Sequence, residues 1–356
     1  MDRFKGARSP IAKASLVYIN NKYVKHGELE IKELFCMKEL TNKIEENQGF
    51  VEDQLSQMNE MLKGKCPGID IGNQCDTPYP CDFKDHCWSD IPEYSIFNIN
   101  RLKKSKKFEL YYKGIIEFKD IPDDYALSSG QRVQIESELT DKVIINKEGI
   151  SQFLETVFYP LYFLDFETFM PVIPICDGTR PYQMMPFQYS LHVLEDESAE
   201  LKHYEFLAKE SIDEREELVK RLTSEIPDKA CVLTYNRVFE KRILKEMSEQ
   251  FLSYSEKLMS IHGNIIDLMV PFQKRDYYTK EMKGSYSLKF VLPALLADIS
   301  YEGMAISDGG DAMNAYATLH SLEDKEEVKK IRGDLFEYCK LDTYAMVKLL
   351  EELRKL

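Results

Sequence analysis

No part of the sequence approaches the roughly 18 consecutive apolar residues that a membrane span requires. Its start, MDRFKGARSPIAKA, has no apolar core of the secretory type. Membrane and secreted classes are set aside, and a cytoplasmic protein is expected. Positive charge is also short: 47 Lys and Arg against 61 Asp and Glu leave a formal net charge of -14. A protein that coats nucleic acid through its overall charge is excluded, and only local basic patches remain for that purpose. There is no internal repeat and no tight C-x2-C pair of the zinc-ribbon type. The chain does have 356 residues, 44% of them hydrophobic, and eight cysteines. That is enough to bury a core in two domains or in one large domain with an appendage. In a reducing compartment the cysteines read as metal ligands or buried side chains rather than disulfides.

Apolar spacing divides the chain. SLVYINNKYVKHGELEIKELF, from Ser15, reads as a strand, an Asn-Asn turn, a second strand and a helix start. Three-and-four spacing through Leu40, Ile44, Val51, Leu55, Met58 and Leu62 then gives one or two helices ending at Gly64. From Ser89 to about Val157 a polar connector carries the basic run RLKKSKKF. Beyond Tyr159, strands alternate with amphipathic helices: YFLDFETF, PFQYSLHVLE, LKHYEFLA, DEREELVKRLTSEI, ACVLTYN, FEKRILKEMSEQF and finally DLFEYCKLDTYAMVKLLEELRKL. This pattern predicts a mixed α/β fold.

Within YFLDFETF two carboxylates interrupt an otherwise apolar strand. Side chains alternate across a strand, so Asp165 and Glu167 share one face. Two like charges held together in a half-buried site repel unless one is protonated or a cation sits between them. Hard oxygen ligands suit Mg²⁺ or Mn²⁺, and a pair of such ions serves phosphodiester cleavage. On the last helix, Tyr338 and Asp342 lie one turn apart on one face. In VLTYNRVFE a buried strand ends at Asn236, and Phe239 and Glu240 follow in the first turn of a helix, at the kind of strand end where α/β proteins place active sites.

In this order, DFET, YNRVFE and YCKLD resemble the three motifs of the DnaQ-like DEDD 3'-5' exonucleases, in the subtype with tyrosine in the third motif. The resemblance covers about residues 159 to 356 and implies a ribonuclease H-like mixed sheet flanked by helices. It also implies that Asp165, Glu167, Glu240 and Asp342 hold two Mg²⁺ or Mn²⁺ ions, that Tyr338 orients the attacking water, and that Asn236 and Phe239 belong to the second motif. Glu240 stands where the family usually has Asp. Asp267, in NIIDLM, is a reserve ligand or, with greater weight, a helix cap, and Lys289 is a phosphate contact or, more simply, a solvated lysine.

Cys66, Cys75, Cys81 and Cys87 fall in the order C-x8-C-x5-C-x5-C within a segment rich in Pro, Gly and Asp and poor in aliphatics. Such a segment needs something other than packing to hold it, and four thiolates suit Zn²⁺ or a [4Fe-4S] cluster. CDTPYPCDFKDHCW resembles the cysteine trio of RecB-like PD-(D/E)XK nucleases with an iron-sulfur cluster, and the whole chain is similar to a bacterial family joining such a module to a DEDD-type exonuclease domain. The resemblance implies a small N-terminal α+β remnant of that nuclease over residues 1–92, without its upstream catalytic residues and with Cys66 as fourth ligand or the trio incomplete. A connector follows over 93–157, then the exonuclease domain over 158–356. Cys36, Cys176, Cys231 and Cys339 read as core, and His86 as surface. The expected substrate is DNA or RNA with single-stranded ends, with Phe108, Tyr111 and Tyr112 beside the basic run for base stacking. The alternative expectation is a nuclease-derived binding module that has lost catalysis.

Overall fold

The computed structural model describes residues 11–210, 212–296 and 298–356. The chain divides into two compact units, one running to Cys87 and including Met170–Gln183, the other formed by Trp88–Phe169 and Met184–Leu356.

In the first unit, strand β1 (Ser15–Ile19) pairs antiparallel with β2 (Phe35–Glu39). The tight hairpin expected across Asn20 and Asn21 does not form. Asn20 makes a turn, its side chain accepting from the Lys22 amide and donating to the Glu33 carbonyl. The backbone beyond it finds another partner: Lys25 exchanges hydrogen bonds with Gly178 and Thr179. Those bonds satisfy the groups that a second strand would have used, so a more distant segment pairs with β1. Of the one or two helices expected, two form, Thr41–Glu46 and α1 (Gln48–Lys63), the latter capped by Gly64.

In the second unit, residues 88–140 build a small core from Ile96, Ile99, Leu102, Leu110 and Phe118. It includes α2 (Lys104–Tyr112), next to which comes α3 (Ser129–Thr140). The rest is mixed α/β. Strands β3 (Leu161–Phe169), β4 (Met185–Leu194), β5 (Lys202–Leu207), β6 (Cys231–Thr234) and β7 (Ile265–Asp267) form one sheet in the order β5-β4-β3-β6-β7. β4 runs antiparallel to both neighbours, while β3, β6 and β7 are parallel. Amphipathic helices α4 (Arg215–Glu225), α5 (Val238–Gln250), α6 (Leu288–Leu295), α7 (Gly309–Thr318) and α8 (Lys325–Lys355) accompany it.

The period of two on β3 sorts its side chains. Leu161 and Phe163 join a core with Leu233, Phe272, Val291 and the α8 residues Met346, Leu349 and Leu350. Phe166 points the other way and meets Tyr189 directly across the strand pair. Asp165 and Glu167 therefore continue the face that α8 covers. Three side chains of β4 on that face tie the helix down. Gln188 donates to the Leu335 carbonyl, while Ser190 and His192 both bond the Thr343 hydroxyl, at 2.7 and 2.8 Å. Burial pushes His192 down to about 3 and His203, which bonds Ser190, down to about 4. Both rings are neutral at neutral pH, so this buried layer carries hydrogen bonds without charge.

Candidate active site

The site lies where β6 stops. Its last partner on β3 is Phe163, so the chain leaves the sheet just short of Asp165 and turns into α5. Asn236 makes that turn in the left-handed region, at φ 74. Asp267, at the end of the neighbouring strand, holds it there: its two carboxylate oxygens accept from the Asn236, Arg237 and Met269 amides at 3.0–3.2 Å. Asp267 thus braces the turn through backbone amides, and it is not the N-cap of either neighbouring helix, those positions being Arg237 and Met269. The turn delivers Glu240 into the cleft from the first turn of α5.

A cleft of about 270 Å³ is lined by Asp165, Glu167, Asn236, Phe239, Glu240, Tyr338 and Asp342, among others. The residues of all three motifs thus meet. One carboxylate oxygen each from Asp165, Glu167 and Asp342 lies within 4.8 Å of the others, a group able to hold a metal ion. Glu240 is 2% exposed, and its Oε2 has no hydrogen-bond partner among the described residues.

The electrostatics follow from crowding. Burial first, and then the neighbouring Asp342, holds Asp165 well above the usual carboxylate range. Glu167 is raised well above it by burial, then by Asp165 and Asp342, and Glu240 by burial and then Asp165. Asp342 rises only to about 6, because the Tyr301 and Tyr338 hydroxyls bond its carboxylate and oppose the effect of burial. Four acids crowded into one cleft, Glu167 and Glu240 buried and Asp165 and Asp342 half-buried, favour protons or cations over ionised vacancy. Divalent ions fit this donor set: it is all oxygen, and Glu240 keeps an oxygen unused.

Three contributors went unforeseen. Tyr301, from the segment between α6 and α7, donates to Asp342 Oδ1, and its ring lies 6.0 Å from that of Tyr338. Nothing in the local sequence marks it. The Cys339 thiol, assigned to the core, is buried but also points at Asp165 Oδ2, at 3.7 Å. Thr343 carries the hydrogen bonds that fix the helix. Its place next to Asp342 was the available signal.

Lys289 is solvent-exposed and lies 3.6 Å from Asp308. Phe108 is buried among Trp88, Phe97 and Tyr111, so of the three aromatics beside the basic run it is the one withdrawn from solvent. Cys231 and Cys339 are buried, but Cys36 and Cys176 are only half-buried. Cys66, Cys81 and Cys87 are exposed and Cys75 buried; no three of these four sulfurs lie within 4.8 Å of one another. His86 is exposed, as expected.

A family model described as a domain of unknown function (DUF2779) matches residues 162–287, about a third of the chain. The match includes Asp165, Glu167 and Glu240 but not Tyr338 or Asp342. No curated protein and no solved structure matches the chain. No helix among the described residues is long and apolar enough to cross a membrane.

Proposed function

We propose that the second unit is a divalent-metal-dependent 3'-5' exonuclease of the ribonuclease H-like, DEDD type, acting on single-stranded ends of DNA or RNA. One observation carries this reading: Asp165, Glu167, Glu240 and Asp342, from a strand and two helices far apart in sequence, line one cleft with Tyr338. The mixed five-stranded sheet supports the same reading. Asp165, Glu167 and Asp342 would hold Mg²⁺ or Mn²⁺, with Glu240 reaching in from α5. Bound ions would supply positive charge to a phosphodiester and to both oxygens exchanged at phosphorus. The carboxylates fix where that charge sits, and Tyr338, on the helix turn before Asp342, presents its hydroxyl to orient the water. Tyr301 keeps Asp342 turned toward Asp165.

Incubation of an end-labelled strand with Mn²⁺ is expected to give stepwise shortening from the 3' end, lost by about 100-fold or more in Asp165→Ala. Digestion unchanged in Asp165→Ala overturns the assignment. The rival, a binding module that has lost catalysis, draws on Glu240 with its longer side chain. Metal-dependent turnover that disappears in Asp342→Asn excludes it. For the cysteines, the reading is a [4Fe-4S] cluster, with Zn²⁺ as the alternative. Anaerobic purification should yield a brown, iron-containing protein; a colourless one with stoichiometric zinc refutes it.

A further inference from the structure

Beside the cleft, a tyrosine ring carries two guanidinium groups. Arg101 lies over Tyr286 with its carbon 5.2 Å from the ring centroid, and its Nη2 donates to the Tyr286 hydroxyl. Arg275 lies 5.7 Å from the same ring and 4.6 Å from that of Tyr278. The hydrogen bonds of the two cations go to a hydroxyl and to the Gly284 and Ser285 carbonyls, not to a carboxylate. In a chain with a net charge of -14 this is a local positive site to which no carboxylate is hydrogen-bonded among the described residues.

The site is built rather than incidental. Both arginines adopt left-handed backbone, at φ 54 and φ 64, which non-glycine residues take up only when their surroundings impose it. At Arg101 those surroundings are two buried glutamines of α3. Gln131 donates to the Asn100 carbonyl, and Gln134 accepts from the Asn100 amide and donates to the Asn98 carbonyl, so the turn before Arg101 is fixed. The turn before Tyr286 closes against the same side chain: a Cβ on Gly284, at φ 77, would lie 2.5 Å from Gln134 Nε2. Tyr286 in turn adjoins the cleft wall. Its carbonyl accepts from the Tyr235 hydroxyl at 2.7 Å, and Tyr235 and Leu288 both line the cleft. Arg101 itself is exposed and Tyr286 half-buried, while Arg275 is buried, so Arg101 is the cation of the stack that is open to a ligand.

We infer that Arg101, Tyr286 and Arg275 form a platform for a single-stranded nucleic acid, with Arg101 meeting a phosphate of the strand that leads into the cleft. The direction of the strand rests on the exonuclease reading; the binding does not. A guanidinium already stacked on an aromatic ring presents its remaining donors without further ordering, which suits phosphate oxygens.

The test is anisotropy of fluorescein-labelled DNA and RNA strands of about 12 nucleotides, within the usual footprint of single-strand grooves, measured in EDTA so that nothing is cleaved. Arg101→Ala is expected to weaken binding of at least one strand type about fivefold to tenfold. It should also reduce the slope of log affinity against log salt by about 0.7, the value for one lost phosphate contact on a single strand. Arg101→Lys should keep the slope. Arg221→Ala is the control: Arg221 lies over Phe206 in similar fashion but is paired with Glu217, and its loss should change nothing. Unaltered affinity and slope in Arg101→Ala, with digestion intact, overturn the platform and leave the exonuclease standing. Arg101-dependent binding with no digestion upholds the platform and overturns the exonuclease.

Discussion

At the scale of single residues, the carboxylate cluster depends on side chains outside it. Tyr301 has no catalytic group to offer, but it fixes one oxygen of Asp342 from a segment that helix periodicity does not connect to the site. Outer partners of metal-binding carboxylates commonly contribute 10- to 100-fold to metal affinity. Tyr301→Phe keeps the ring packed against Tyr338 and removes only the donor. The expected result is Mn²⁺ binding weakened about tenfold by calorimetry, with the melting temperature of the metal-free protein little changed. Unchanged Mn²⁺ affinity would show that Tyr338 alone orients Asp342.

At the scale of elements, the decisive contact is that of α8 with β4. The helix is 31 residues long, and an error of one turn would move Tyr338 and Asp342 away from Asp165 altogether. Apolar packing resists such a slip weakly, since Leu and Met repack. Directional hydrogen bonds from Gln188, Ser190 and His192 resist it strongly. Thr343→Val retains shape and deletes the shared hydroxyl, leaving His192 Nδ1 buried without that partner. A cost of about 1–3 kcal/mol is expected, read as a lowered urea midpoint, with a loss of activity larger than that of a surface Thr→Val change. A midpoint within error of wild type would remove the network from the account of how α8 is held. The short segment between β6 and α5 works similarly, with Asp267 binding the amides that Asn236 exposes in its left-handed turn.

At the scale of the whole molecule, the acidic cleft sets how stability responds to pH and metal. Asp342 titrates at about 6, against an ordinary 3.8, and the other three acids are also raised. A carboxyl group with a raised value binds its proton better in the folded chain. Its contribution to stability is therefore complete below the ordinary value and disappears as pH rises through the folded one. In EDTA the melting temperature is expected to rise as pH falls from 7 to about 5, and Asp342→Asn should flatten that trend. Under the metal reading, Mn²⁺ at neutral pH is expected to replace the protons: at about 100 times its dissociation constant it would add about 2.7 kcal/mol, and in Asp165→Asn this gain should be largely lost. A metal-free melting curve that falls between pH 7 and 5 contradicts the crowding of these acids.

What the sequence by itself determined are the local geometries. A period of two puts Asp165 and Glu167 on one strand face, a spacing of four puts Tyr338 and Asp342 on one helix face, and apolar periodicity delivers the mixed α/β unit. Each of these follows from covalent geometry over a few residues. The tertiary structure alone decided the rest. It paired β1 with a strand beyond the expected turn, left Glu240 Oε2 without a hydrogen-bond partner among the described residues, brought Tyr301 to Asp342 and set Arg101 on Tyr286. Those outcomes depend on which distant backbone groups satisfy one another, and no local period records that choice.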